Sequence, residues 1–132
     1  MRTQTRIVED IQQSYTFPQW LDSYQSKATQ AAYHSGVGSF LRSIYQTDEP
    51  VEQLAERYIK ETKRGKRDIR KDLLDYIGFT QKGQAYTSKV KAGKAMPPMS
   101  LHLCLAATKN FLSYRCNIDI SNKVILEEEG LT

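Results

Sequence analysis

Between Ser23 and Thr47, and again between Tyr76 and Ile118, the sequence contains no aspartate or glutamate, although it holds 15 of them in 132 residues. The cations in these stretches are Lys27, Arg42, Lys82, Lys89, Lys91, Lys94, Lys109 and Arg115, a charge of +8, while the rest of the chain sums to −4. A polyanion-binding surface leaves this pattern, because a carboxylate placed there would repel phosphate. Other absences narrow the class. No apolar run approaches the roughly 18 residues a membrane span needs, and no signal-peptide h-region opens the chain. Two cysteines, Cys104 and Cys116, make neither a disulfide framework nor a metal site of known spacing, which fits a reduced, cytoplasmic setting. Period-2 alternation is not sustained, so sheet is not expected.

Helical patterns recur instead. "FPQWLDSY" places Pro18 in a first turn, with Trp20, Leu21 and Tyr24 on one face. Ser26 fits an N-cap for a second helix whose stripe is Tyr33, Val37, Phe40, Leu41 and Ile44. Asp48, Glu49 and Pro50 lead into "VEQLAERYIKETK", with acids early and cations late as the helix dipole prefers. Gly65 separates it from "RDIRKDLLDYIGF". The polar connection from Thr80 to Pro98 holds two glycines and paired prolines and is expected to be mobile until it meets a partner. A last helix follows, with Ser100 as its expected cap and Leu101, Cys104, Leu105, Thr108, Phe111 and Leu112 as its buried arc. The fold class expected is an all-α bundle of four to five helices.

Catalytic signatures are scarce. The chain has no GxSxG, P-loop or dinucleotide fingerprint, and His34 and His102 lack metal-ligand spacing. The carboxylates of the third and fourth helices fit surface pairing between positions i and i+4. The cluster "KRGKRDIRK" is interrupted by Asp68 and reads equally as a nucleic-acid patch or a solvated helix junction. Opposite its apolar stripe, the second helix presents Ala28, Ala31, Ser35, Gly38, Ser39 and Arg42. Small side chains let a backbone approach another helix or the major groove of DNA, and the missing acids favour DNA.

The order of these elements resembles the core-binding domain of tyrosine recombinases, the phage integrase family, and its middle is most similar to archaeal members. The resemblance spans Phe17 to Val124. It rests on the short aromatic helix, on Thr29 and Tyr33 four residues apart, and on a closing helix with Leu105, Thr108, Lys109, Phe111, Leu112 and Tyr114. Thr108 stands where the family usually has Leu, Leu103 and Cys104 where it is commonly polar, and Lys123 where Pro often follows Asn.

The resemblance implies a SAM-like orthogonal helical bundle that clamps duplex DNA with its second and last long helices. It also implies that catalysis belongs elsewhere. The family's His-x-x-Arg is missing, so no catalytic residue is expected in this chain, and neither is a cofactor, a metal or a membrane partner. Expected boundaries are a leader over 1–16, the core-binding domain over 17–124, and the start of a linker over 125–132. The DNA-binding residues expected are Lys27, Thr29, Ser35, Arg42, Lys89, Lys91, Lys94, His102 and Lys109. Partners implied are double-stranded DNA and other recombinase protomers, with a nucleoid location. The alternative is a helical protein–protein interaction module.

Overall fold

A computed structural model describes residues 17–87 and 90–116. The expected leader, the linker, Lys89 and the end of the expected domain at 117–124 lie outside the described residues. Among the described residues five helices follow one another: α1 (Phe17–Asp22), α2 (Lys27–Tyr45), α3 (Val51–Lys63), α4 (Ile69–Gln81) and α5 (Pro98–Cys116). The protein is an all-α bundle, as the periodicity predicts.

Local chemistry sets the helix ends. The Ser26 side chain accepts a bond from the Thr29 amide at the start of α2, and Asp68 accepts one from Lys71 at the start of α4. α5 starts three residues earlier than expected, with Pro98 at its first position and Ser100 inside the first turn rather than at the cap. Proline suits that position, since it has no amide hydrogen to leave unpaired.

α2 is the central helix. Val37, Phe40 and Leu41 are buried with Trp20, Leu54, Leu73, Leu105, Phe111 and Leu112, while Tyr33 is only partly covered. Small residues bring α5 against it: a Cβ added at Gly36 would lie 2.9 Å from the Ala107 Cβ and 3.2 Å from the Cys104 Cα. Asn110 Nδ2 donates to the Tyr33 hydroxyl at 3.2 Å. Position falls along α2 as it rises along α5, so the two helices run in opposite senses. α1 closes one side through its rings: Trp20 stacks with Tyr33 and meets Phe111 edge-on.

The connection between α4 and α5 is paired with itself. Gly93 donates to the Gly83 carbonyl, Ala92 to Ala85 and Thr87 to Val90, and Tyr86 opposes Lys91 in antiparallel fashion. Gly83 has φ +72, and a Cβ there would fall 2.6 Å from the Lys94 amide nitrogen, so only glycine fits this crossing. The Tyr86 amide donates to Ser43 Oγ of α2 at 2.9 Å, and Ala85 is buried. The expectation of a loop that is mobile by itself did not take in this pairing.

One expectation about the acids needs correction. Asp72 is not on a solvated face: it is buried in the first turn of α4 and accepts bonds from the Tyr58 hydroxyl at 2.8 Å and from Arg67 Nε and Nη2 at 3.0 and 2.8 Å. The same guanidinium lies over the Tyr45 and Tyr58 rings and 3.7 Å from Glu61. Arg67 therefore ties α3 to α4, and the "KRGKRDIRK" junction is solvated only in part. Arg57–Glu61 and Lys71–Asp75 are the expected pairs at i and i+4.

Candidate nucleic-acid interface

Of the nine residues expected to meet DNA, Lys89 lies outside the described residues and the other eight fall into three structural settings. Lys27 and Ser35 are exposed on the first half of α2, beside the equally exposed Ala28 and Ala31. Thr29 is half-buried and belongs to the cap of that helix. Lys109, half-buried, lies on the second half of α5, which the antiparallel pairing brings toward the first half of α2. The second setting is the paired connection and the start of α5, where Lys91, Lys94 and His102 are exposed. Lys82 is exposed in the same acid-free stretch, a cation whose charge the sequence reading counted without assigning it to the surface.

Arg42 forms the third setting and stands apart. It is half-buried, its Nε donates to the Glu49 carbonyl at 3.1 Å, and it packs beside Gly38 at the junction of α2 and α3. Glu52 is close by. Its carboxyl is held below the usual range chiefly by a backbone hydrogen bond, and His34 and Arg42 add to that effect. His34 Nε2 lies 3.3 Å from this carboxylate. The α3 edge of α2 is thus partly acidic.

The small-residue face of α2 also divides. Gly38 and Ser39, expected on the open face, are buried. A Cβ at Gly38 would meet Val51 Cγ2 at 2.8 Å, and Ser39 shares a 2.7 Å hydrogen bond with the Tyr76 hydroxyl. Helix packing accounts for the small residues in the second half of α2. Only Ala28, Ala31 and Ser35 remain open to a ligand.

Charge is segregated in a way that the helix dipole does not explain. α3 and α4 carry Glu52 and Asp72 in their first turns, where a carboxylate is favoured, whereas α2 and α5 carry no acid there. Lys27, Lys82, Lys91, Lys94 and Lys109 take part in none of the ion pairs found among the described residues; on the α3–α4 side Arg57, Arg67 and Lys71 are paired, whereas Lys60, Lys63, Arg64 and Lys66 are in none of those pairs. The segment from Asp48 to Asp75 sets eight acids against eight cations, whereas the two acid-free stretches hold cations alone.

Features of other chemistries are weaker. Burial pushes the Cys104 thiol above its ordinary value, although a bond with Tyr76 works the other way. A nucleophilic thiolate needs the opposite shift. Among the described residues no group of three or more His, Cys, Asp or Glu side chains gathers to hold a metal ion, and no helix is long and apolar enough to cross a membrane. Near His102 an apolar pocket of about 240 Å³ opens between the end of α4 and the start of α5. Compared with protein-family models, with curated proteins and with solved structures, the chain matches none.

Proposed function

We propose that this chain binds duplex DNA as the core-binding domain of a site-specific recombinase of the tyrosine type, without performing strand cleavage itself. The observation that supports this reading best is the separation of charge: lysines without any acid on α2, on α5 and on the connection before it, against a stretch from Asp48 to Asp75 in which eight acids offset eight cations. α2 spans 19 residues, about 28 Å, which is comparable to the reach of a helix laid along a DNA groove. Lys27 and Lys109 serve as phosphate contacts. Ala28, Ala31 and Ser35 are short enough for the backbone to approach base edges. Arg42, engaged at the α2–α3 junction, serves as a positioning residue for that face.

The five lysines Lys27, Lys89, Lys91, Lys94 and Lys109 set the expected salt response. Five phosphate contacts give a slope of about −4.5 in log affinity against log salt, hence roughly a 500-fold loss between 50 and 200 mM. Duplex binding is measured by fluorescence anisotropy across that range for the unaltered chain, for Lys27→Ala with Lys109→Ala, and for Lys63→Ala with Lys66→Ala in the basic junction. The first pair should lower the slope by about two units, and the second should leave it unchanged. Greater loss from the junction pair, or a slope near zero in the unaltered chain, refutes the assignment. A salt-insensitive interaction with protein instead of DNA is the result expected of the interaction-module alternative.

A further inference from the structure

The paired connection between α4 and α5 is a short two-stranded ribbon. Its arms are residues 83–87 and 90–93, with Ala85 opposite Ala92, Tyr86 opposite Lys91 and Thr87 opposite Val90. The root is fixed to the bundle. Ala85 is 1% exposed, the Tyr86 amide is bonded to Ser43 of α2, and the Met96 amide donates to the Thr80 carbonyl at 2.9 Å. The outer part of both arms is open: Thr87 and Lys91 are exposed, and Val90 is 66% exposed. Cross-strand partners share a face, so Thr87 and Val90 present their methyl groups together, on the face that Ala85 and Ala92 occupy nearer the root. Lys91 belongs to the opposite face.

Charge complementarity selects the partner. Lys82, Lys91 and Lys94 are exposed around the ribbon, and no acid occurs between Tyr76 and Ile118, so a polyanion can approach it without repulsion. In duplex DNA the group that matches a pair of methyl-bearing side chains is the thymine C5-methyl, which lies in the major groove. That groove, about 12 Å wide and about 8.5 Å deep, admits a two-stranded ribbon, whereas the minor groove, about 6 Å wide, does not. The arms of a ribbon are about 4.8 Å apart, and Thr87 stands about 7 Å beyond the buried Ala85, which covers most of the groove depth.

We infer that this ribbon enters the major groove of duplex DNA, where Thr87 and Val90 contact thymine methyl groups and Lys91 and Lys94 contact the flanking phosphates. The inference rests on the DNA-binding reading and adds to it a source of sequence preference outside α2. Ser43, where the ribbon is anchored, lies eight residues beyond Ser35, about 12 Å further along the axis of α2, so the ribbon meets the duplex at a place of its own. Because its root is already held, the ribbon needs little ordering on binding.

The test separates methyl contacts from phosphate contacts. Duplexes of about 20 base pairs with a randomised centre are enriched for binding to the full chain. The recovered pool is then amplified with either thymine or uracil, which lacks only the C5-methyl. The unaltered chain should bind the thymine form about four- to fifteenfold more tightly, since each methyl group buried contributes about a factor of four. Thr87→Ser with Val90→Ser should bind both forms equally, with an unchanged far-UV spectrum because both positions are exposed. Lys27→Ala with Lys109→Ala should weaken binding to both forms and keep the preference. Equal affinity of the unaltered chain for the two forms overturns the inference. So does a preference that persists undiminished in the Thr87→Ser, Val90→Ser variant. In either case salt-dependent binding to duplex leaves the DNA-binding reading standing, whereas a chain that binds neither form overturns both.

Discussion

Removing the Asp72 carboxylate should destabilise the bundle more than any other single change on its polar side. Asp72 is 6% exposed, and Tyr58, whose hydroxyl it accepts from, is fully buried. Asp72→Ala leaves that hydroxyl without its partner, at a cost of about 1–3 kcal/mol, and removes two charge-assisted bonds from Arg67, which contribute about 1.5–3 kcal/mol. Arg67 recovers part of this loss, because its side chain is 23% exposed and Glu61 is 3.7 Å away. The net expectation is about 3 kcal/mol, at the lower end for breaking a buried pair. Tyr58→Phe should cost about 1 kcal/mol, since Asp72 keeps both bonds to Arg67. Urea denaturation followed by circular dichroism measures both variants and the double variant. The double variant should fall about 1 kcal/mol short of the sum, because the hydroxyl–carboxylate bond is lost only once. A loss below about 1 kcal/mol for Asp72→Ala, or strict additivity, would refute the view that this trio joins α3 to α4.

Two further outcomes follow from packing and titration. Gly36→Val should destabilise by about 3 kcal/mol or more, because its side chain enters space that Ala107 and the Cys104 backbone already fill; thermal unfolding would show no change if α5 could slide aside. Glu61 contributes a pH dependence. Burial works to raise its carboxyl, but the bonds from Tyr45 and Arg57 and the nearby Arg67 charge outweigh it and hold the group below its ordinary value. A lowered folded-state value means that the stabilisation is present above the ordinary carboxylate range and is lost as pH falls through the folded-state value. Melting curves between pH 7 and pH 3 should therefore drop less steeply for Tyr45→Phe than for the unaltered chain, and identical profiles would exclude Glu61 as a contributor.

Helix positions and the apolar core were legible in the sequence because both follow from spacing. Val37, Phe40 and Leu41 of the stripe and Leu101, Leu105, Thr108, Phe111 and Leu112 of the arc are buried as their 3.6-residue period requires, while Tyr33, Ile44 and Cys104 are partly covered. Small residues were ambiguous for a physical reason: glycine and serine suit a close-packed helix and a close-packed groove equally well. Gly38 and Ser39 turned out to pack against Val51 and Tyr76, contacts that depend on how distant segments cross. Asp72 was misjudged for the same reason. It sits in a run of charged residues with Asp68, Arg70, Lys71 and Asp75, which suggests a solvated face, whereas the buried Tyr58 that claims it lies 14 residues away on another helix. The pairing within the Gly83–Lys94 connection depends on Gly83 at positive φ and on Ser43 of α2, neither of which leaves a periodic signal. The candidate DNA surface is visible only as missing charge, and that pattern singles out segments of the chain without singling out side chains.

The close approach of Gly36 to Ala107 also bears on the order of folding. These residues are 71 positions apart, whereas Gly38 and Val51, the corresponding contact between α2 and α3, are 13 apart. Closing the longer loop costs about 1.5 kcal/mol more in chain entropy. A contact made of small side chains also offers little attraction until the helices are nearly in register. α1 to α4 are thus expected to assemble around α2 before α5 docks, with the last helix absent from the transition state. Leu105→Ala should then speed unfolding and leave the folding rate almost unchanged. A large fall in the folding rate would place α5 in the nucleus instead.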